Sequence, residues 1–205
     1  MVTVEADPDS VERRLAEGRL RCPDCSGVLR GWGRARPRMV RGVAKVSEVK
    51  PRRAWCPRAG GCGRTHVLLP VTCLVRRADD VEVIGSALEK AADGLGHRQI
   101  AEDLGRFPET VRGWLRRFAG RAERVRVFFT GLAVRVAVEV VLPGPAGSVL
   151  GDAVAAIKAA AGSVASRFEV GAVTAWRVAC AVSAGGLLAP GWPPSRMESI
   201  NTSSP

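Results

Sequence analysis

Hydrophobic residues between positions 80 and 119 recur at helical spacing and predict three consecutive helices. The first stripe begins at Val83 and reaches Leu95, where Gly94 and Gly96 end it. The second helix is short and covers 97–104. The third opens at Pro108, because a proline at the first helical position loses no hydrogen bond. The predicted core-facing residues of the last two helices are Ile100, Ala101, Leu104, Val111, Trp114, Leu115 and Phe118.

An alternation with a period near two runs through residues 39–49 and predicts a β-ribbon. The surrounding stretch, 30–53, is strongly basic, and Glu48 is its only acid. Trp32 and Trp55 are expected to pack near the ends of this ribbon. Arg38 and Arg41 could contact DNA phosphates there, which positions a protein on a duplex without reading its sequence. A merely solvated basic face is the alternative.

Apolar residues dominate after position 126 and predict three further helices, over 127–142, 148–168 and 171–184. They carry no recognisable site, so we expect a packing or homodimerisation element that is dispensable for zinc binding. Arg135, Glu139 and Arg177 interrupt the most apolar stretches, so no membrane association is expected. The predicted fold is α+β and mostly α. Its predicted parts are a zinc ribbon (1–75), a helix-turn-helix domain (76–126), an apolar helical segment (127–188) and a disordered tail (189–205).

The positive charge is unevenly distributed, which favours a polyanionic partner for the first 126 residues. The chain has a formal net charge of +11. Of its 31 basic residues, 26 lie in 1–126 together with 16 of its 20 acidic residues. A basic domain that also offers a groove-reading element is typical of proteins that bind duplex DNA.

Two cysteine pairs predict a zinc site. Cys22 and Cys25 form a Cys-x2-Cys knuckle closed by Gly27, and Cys56 and Cys62 form a wider Cys-x5-Cys pair. Thirty residues, 26–55, separate the pairs, which is enough for the strands of a ribbon. Tetrahedral coordination by two such pairs is the usual arrangement of a structural zinc ion. We expect one Zn²⁺ per chain.

Three other residues could in principle join this chemistry. His66 lies four positions after Cys62 and could replace one thiolate, although a hydrogen-bonded ribbon histidine is the favoured interpretation. Cys73 and Cys180 lie in apolar surroundings and are expected to be small core residues.

The spacing around Gly105 predicts a helix-turn-helix. Ala101 lies four residues before this glycine and Val111 six after it, as steeply crossing helices require. Arg106 occupies the position where an apolar residue is usual, and Phe107 stands where a small polar cap is usual. We expect a weak cap and a Phe107 side chain that rotates inward.

The outer face of the third helix supplies the candidate base-reading residues. Arginine pairs in bidentate fashion with guanine in the major groove, so Arg112 is the first candidate and Arg116 the second. Arg98, at the start of the preceding helix, is expected to meet phosphate, and Gly113 would allow close approach to the groove floor. The remaining predicted contacts on this helix are Glu109, Thr110 and Arg117.

Two runs resemble an uncharacterised bacterial family of zinc-ribbon plus helix-turn-helix proteins that is often linked to transposases and mobile elements. They are Cys62-Gly-Arg-Thr-His-Val-Leu-Leu-Pro70 and Arg98–Phe118. The resemblance covers roughly residues 10–126 and implies DNA binding through the third helix, with zinc at the four cysteines. It also implies either transcriptional regulation or a role beside a transposase partner.

Other functions remain as alternatives. A transposase or nuclease needs clustered carboxylates for metal-assisted phosphoryl transfer. The last 79 residues offer only Glu139, Asp152, Glu169 and Glu198, which are scattered, so we expect no enzyme activity. The chain could instead be a zinc module for RNA or protein, or a transposase fragment without its catalytic domain. The expected location is the cytoplasm, in association with the nucleoid.

Overall fold

The computed structural model describes residues 1–137, 141–169, 171 and 173–193, and it shows a mixed α and β fold. The helices of this part are α1 (Pro8–Ala16), α2 (Val81–Ala92), α3 (His97–Asp103), α4 (Pro108–Ala119), α5 (Ala122–Val136), α6 (Val149–Phe168) and α7 (Ala175–Val182). The strands are β1 (Val2–Val4), β2 (Arg30–Arg34), β3 (Arg38–Arg41), β4 (Val46–Val49), β5 (Arg52–Trp55) and β6 (Thr65–Pro70).

The strands form two sheets in the N-terminal region. The larger sheet has the order β1-β6-β5-β2, with β1 parallel to β6 and the other pairs antiparallel. The smaller sheet is the β3–β4 hairpin, in which Arg38 faces Val49 and Arg41 faces Val46. The predicted alternation over 39–49 is therefore two strands joined by a turn. Trp32 and Trp55 contact each other with ring centroids 5.5 Å apart.

Helix α1 covers the larger sheet and closes a small core. Its start is capped by Asp7, whose carboxylate accepts the Ser10 N–H at 2.9 Å. Val11 and Leu15 are its buried residues. The core beneath them includes Val4, Leu20, Leu29, Ala54 and Leu68, together with Cys22 and Cys56.

The three helices predicted between 80 and 119 are present. Asp80 caps α2 by accepting the Glu82 N–H at 2.9 Å, and Gly94 ends the following turn with a φ of +92°. Gly105 has a φ of +59° between α3 and α4, which glycine adopts without steric cost. Ile100, Ala101, Val111, Trp114 and Phe118 are buried, as the pattern predicts.

The core of these helices continues beyond position 126, where the sequence predicted a boundary. Helix α5 crosses that position, and α6 and α7 pack against α2. One hydrophobic cluster joins Phe118 and Leu88 to Phe129, Ile157 and Leu188. The segment 127–188 is therefore part of the main core and not an appended bundle.

The chain remains packed after position 188, where the sequence predicted a disordered tail. Trp192 contacts Phe128 and Phe129 with centroids 5.2 and 6.0 Å away, and Pro193 is buried. Positions 194–205 of that predicted tail lie outside the described residues. So does Glu139 of the scattered carboxylates.

A glycine on α2 allows α7 to approach closely. A Cβ at Gly85 would overlap the Trp176 ring. The ring is held in place because its Nε1 donates to Glu89 Oε1 at 3.0 Å, and Glu89 also pairs with Lys158 at 3.1 Å. The α2–α7 contact therefore depends on the absence of a side chain at position 85.

Helix α7 also joins the helical core to the N-terminal region. Thr3 Oγ1 donates to Ala181 O at 3.0 Å, and Cys180 Sγ to Cys73 O at 3.4 Å. Cys73 and Cys180 are both buried, as predicted, and burial raises the pKa of Cys180 to about 12. The two regions thus share contacts through side chains on both sides.

Among the described residues, α6 is the one helix whose length and apolar composition would suffice to cross a membrane. Inside the protein, 39% of its apolar window is buried. Its inward face, which includes Ala153, Ile157 and Ala160, belongs to the main core. Core helices pass the same test of length and composition, so this feature is weak evidence for a membrane span.

Candidate metal centre and nucleic-acid interface

Four cysteines that are distant in sequence converge at one end of the larger sheet. Cys22 Sγ lies 3.6 Å from Cys62 Sγ, and Cys25 Sγ lies 3.5 Å from Cys56 Sγ. All four sulfurs lie within 4.8 Å of one another. A tetrahedral zinc ion with bonds of about 2.3 Å requires sulfurs roughly 3.8 Å apart. The spacing therefore fits a single metal ion bound by the predicted residues.

Glycines make room for the Cys56 sulfur. A Cβ at Gly27 would lie 2.9 Å from Cys56 Sγ, and one at Gly61 would overlap it. Gly60 and Gly63 have φ angles of +88° and +74°, so the widened second loop uses glycine for its backbone conformation as well. The two loops can enclose the Cys56 sulfur only because positions 27 and 61 lack side chains.

Backbone N–H groups point at the sulfurs and shift their protonation. The Cys62 N–H donates to Cys56 Sγ at 3.4 Å. The Gly27 N–H is the main cause that lowers the pKa of Cys25 to about 7. Burial raises the pKa of Cys22. The Cys62 N–H lowers the pKa of Cys56, but burial and the neighbouring thiols raise it further, to about 12.

Mutual repulsion keeps these thiols from ionising together without a cation. A bound divalent metal removes that repulsion, because coordinating thiols lose their protons to the solvent. The backbone donors then remain as hydrogen-bond partners of the coordinated sulfurs. The donor set, its spacing and its backbone N–H groups fit a metal ion of the zinc type.

His66 is buried beside this centre. Its Nε2 lies 3.3 Å from Cys22 Sγ and 3.8 Å from Asp24 Oδ2. It groups with Cys22 and Asp24 within 4.8 Å, but not with the other three cysteines. Burial lowers the pKa of His66, which favours the neutral imidazole. This arrangement favours a hydrogen bond to the Cys22 sulfur over replacement of a thiolate.

The predicted base-reading helix exposes several arginines. Arg98, Arg112 and Arg116 are exposed, and the described part of the chain gives their guanidinium groups no hydrogen-bond or ion-pair partner. Arg117 is exposed but donates to Gly113 O at 2.8 Å, so its side chain lies over that glycine. The other predicted contacts on this helix are Glu109, which is exposed, and Thr110 and Gly113, which are half-buried.

The prediction that Phe107 rotates inward is wrong. Its side chain is 76% exposed, and it provides no side-chain cap for α4. Arg106 occupies the inner position instead. Its Nε donates to Asp79 Oδ1 at 2.7 Å and its Nη2 to Gly42 O at 2.9 Å. A buried ionic contact replaces the usual apolar one.

Arg38 and Arg41, the predicted phosphate contacts of the ribbon, bind within the chain. Arg41 forms a bidentate contact with Asp79, at 3.0 Å from Nε and 2.7 Å from Nη2. Arg38 Nη2 donates to Arg77 O at 3.0 Å and to Leu74 O at 3.3 Å. Both guanidinium groups therefore hold the β3–β4 hairpin against residues 74–79, and sequence reasoning missed Asp79 as the partner of Arg41.

No protein-family model, curated protein or solved structure matches this chain. The functional argument therefore depends on the side chains and contacts described above.

Proposed function

We propose that this protein binds duplex DNA by a helix-turn-helix formed by α3 and α4, and that a structural zinc ion at the four cysteines stabilises its N-terminal sheet. One observation carries the proposal. Arg98, Arg112 and Arg116 are exposed on these two helices without partners in the described residues. Elsewhere in the same region, Arg41 and Arg106 are both held by Asp79.

The packing of the two helices supports this use. Ala101 and Val111 are buried at their contact, and the glycine turn lies between them. In a helix-turn-helix the N-terminal half of the second helix enters the major groove. Arg112 lies on the first half of α4, where its fork of donors suits the O6 and N7 atoms of guanine. Arg98 at the start of α3 suits a phosphate of the flanking backbone.

The identity of the metal follows from the chemistry of the ligands. Four thiolates favour zinc over the harder cations, and a site with four protein ligands has no open position for a substrate. The ion would connect the Cys22–Cys25 turn to the ends of β5 and β6. Its role would be structural.

Arg112→Ala tests the reading helix. Loss of a bidentate guanine contact costs about 1–3 kcal/mol on the preferred site and relaxes selection at one base pair. Binding to a randomised duplex library measures both effects. Arg167→Ala removes the same charge from the exposed end of α6 and serves as the matched control. An Arg112→Ala protein with unchanged affinity and base preference would show that α4 does not read DNA.

One observation favours a second candidate, binding of single-stranded RNA. Trp32 is 57% exposed on the basic β2–β5 face. Exposed aromatic rings on a sheet can stack on unpaired bases, for about 1–3 kcal/mol per base. Competition between duplex DNA and single-stranded RNA, with Trp32→Ala as the variant, distinguishes the two functions.

A further inference from the structure

Four arginines gather where α4 meets α5, and we refer to them as the arginine cluster: Arg77, Arg117, Arg121 and Arg124. They surround the backbone that follows α7. The guanidinium groups of three of them, Arg77, Arg121 and Arg124, donate to a row of carbonyl oxygens there. Arg77 reaches Leu188 O at 3.5 Å, Arg121 reaches Trp192 O at 3.5 Å and Ala189 O, and Arg124 reaches Pro193 O.

No carboxylate in the described part of the chain pairs with any member of the arginine cluster. Glu123 is the nearest acid in sequence, but Arg126 binds both of its oxygens at 2.6 and 2.8 Å. Burial and then the nearby Arg117 and Arg121 lower the pKa of Arg77. Burial and then Arg124 and Arg117 lower the pKa of Arg121. Four like charges are thus held together without a counter-charge.

Carbonyl oxygens accept only some of the hydrogen bonds that the arginine cluster can donate. Each guanidinium has five N–H donors in a planar fork. Arg117 uses one nitrogen to bind Gly113 O, and Arg77 Nε is buried without a hydrogen-bond partner among the described residues. Carbonyl oxygens carry no net charge, so they leave the mutual repulsion of the arginines in place. An anion with several oxygen acceptors would relieve it.

We infer that the arginine cluster binds phosphodiester groups of the DNA backbone beside the groove that α4 reads. This inference rests on the proposed function. Helix α4 has 12 residues and is therefore about 18 Å long, whereas the major groove is about 12 Å wide. When Arg112 faces the groove floor, the C-terminal end of α4 reaches the edge where phosphates lie. Arg117 and Arg124 are the exposed members that can meet them.

The test is the salt dependence of duplex binding by Arg117→Ala and Arg124→Ala. Each phosphate contact that is lost should make the slope of log affinity against log salt shallower by about 0.9. Affinity should fall equally for all sequences in a randomised library, because phosphate contacts carry no base information. Arg117→Lys and Arg124→Lys keep the charge and should keep most of the slope.

Arg126→Ala is the matched control. It removes one positive charge from α5, the helix of Arg124, but the Arg126 guanidinium is already paired with Glu123. Its slope should equal that of the wild type. Wild-type slopes in both alanine variants would overturn the inference and leave the reading role of α4 standing. Among the described residues, Arg117 donates to Gly113 O and to none of the carbonyl oxygens of 188–193, so its variant remains informative if Arg124→Ala unfolds. A wild-type protein that does not bind duplex DNA would overturn both proposals.

Discussion

Asp79 provides the sharpest test of how the two halves of the structure are joined. It is 2% exposed and accepts hydrogen bonds from Arg41 and Arg106. Asp79→Asn keeps the shape of the side chain but removes its charge. Two guanidinium groups would then face each other across a neutral amide. The contact between the β3–β4 hairpin and the turn before α4 should weaken.

The expected loss of stability follows from the exposure of the two arginines. Removing one partner of a buried ion pair costs about 3–5 kcal/mol. The Arg106 side chain is only 14% exposed and cannot regain water without moving, whereas Arg41 is half-exposed and partly can. We therefore expect a loss near the lower limit, about 3 kcal/mol. For a chain of this size that corresponds to a decrease in melting temperature of roughly 6–12 °C.

Chemical and thermal unfolding of Asp79→Asn measure this loss. Asp103→Asn is the control, because its pair with Lys90 at 2.8 Å is solvent-accessible and should contribute about 0–1 kcal/mol. The loss in Asp79→Asn should persist at 1 M salt, where the screening length is about 3 Å, since the contact is buried. Equal small losses in both variants would refute the assigned role of Asp79.

Three further predictions concern the metal and the main core. Elemental analysis of the purified protein should give about one zinc per chain. Cys25→Ser should lose this zinc and His66→Ala should retain it. The opposite pattern would make His66 a ligand. Gly85→Ala should destabilise the protein by about 1–3 kcal/mol because its Cβ overlaps a tryptophan ring, whereas Gly162→Ala, in open space on α6, should not destabilise it. A chain truncated after Arg126 should lose cooperative unfolding, because α6 and α7 leave the core; unchanged calorimetric unfolding would contradict this.

Sequence periodicity was sufficient for the elements whose partners lie nearby. The stripes of α3 and α4 predict their buried residues because these two helices pack mainly on each other and on α2, whereas α2 also packs on the distant α6 and α7. The cysteine spacing identifies the four sulfurs because knuckle loops impose their own geometry. Strand β1 and helix α1 were not predicted. The three residues of β1 are too few for a periodic signal, although Asp7 followed by Pro8 is a recognisable helix start.

Contacts between distant segments could not be predicted. Nothing local in the sequence indicates that Arg41 and Arg106, 65 positions apart, share Asp79. The same limitation affects the C-terminal helices. Their composition predicts burial, but only the fold shows that Trp176 packs on Gly85 in α2. The domain boundary predicted at position 126, where charged residues give way to apolar ones, therefore lies within a single core.

The shared carboxylate explains why a charged residue occupies the inner position after the turn glycine. An apolar residue at position 106 would contribute only to the contact between α3 and α4. Arg106 instead binds Gly42 O on the hairpin as well as Asp79, so the turn before α4 is fixed to β3. The hairpin lies in sequence between β2 and β5, and the four clustered cysteines precede β2 and follow β5. The four-cysteine centre and the proposed reading helix are thus connected through β3, and the orientation of α4 depends on contacts that an isolated helix-turn-helix would lack.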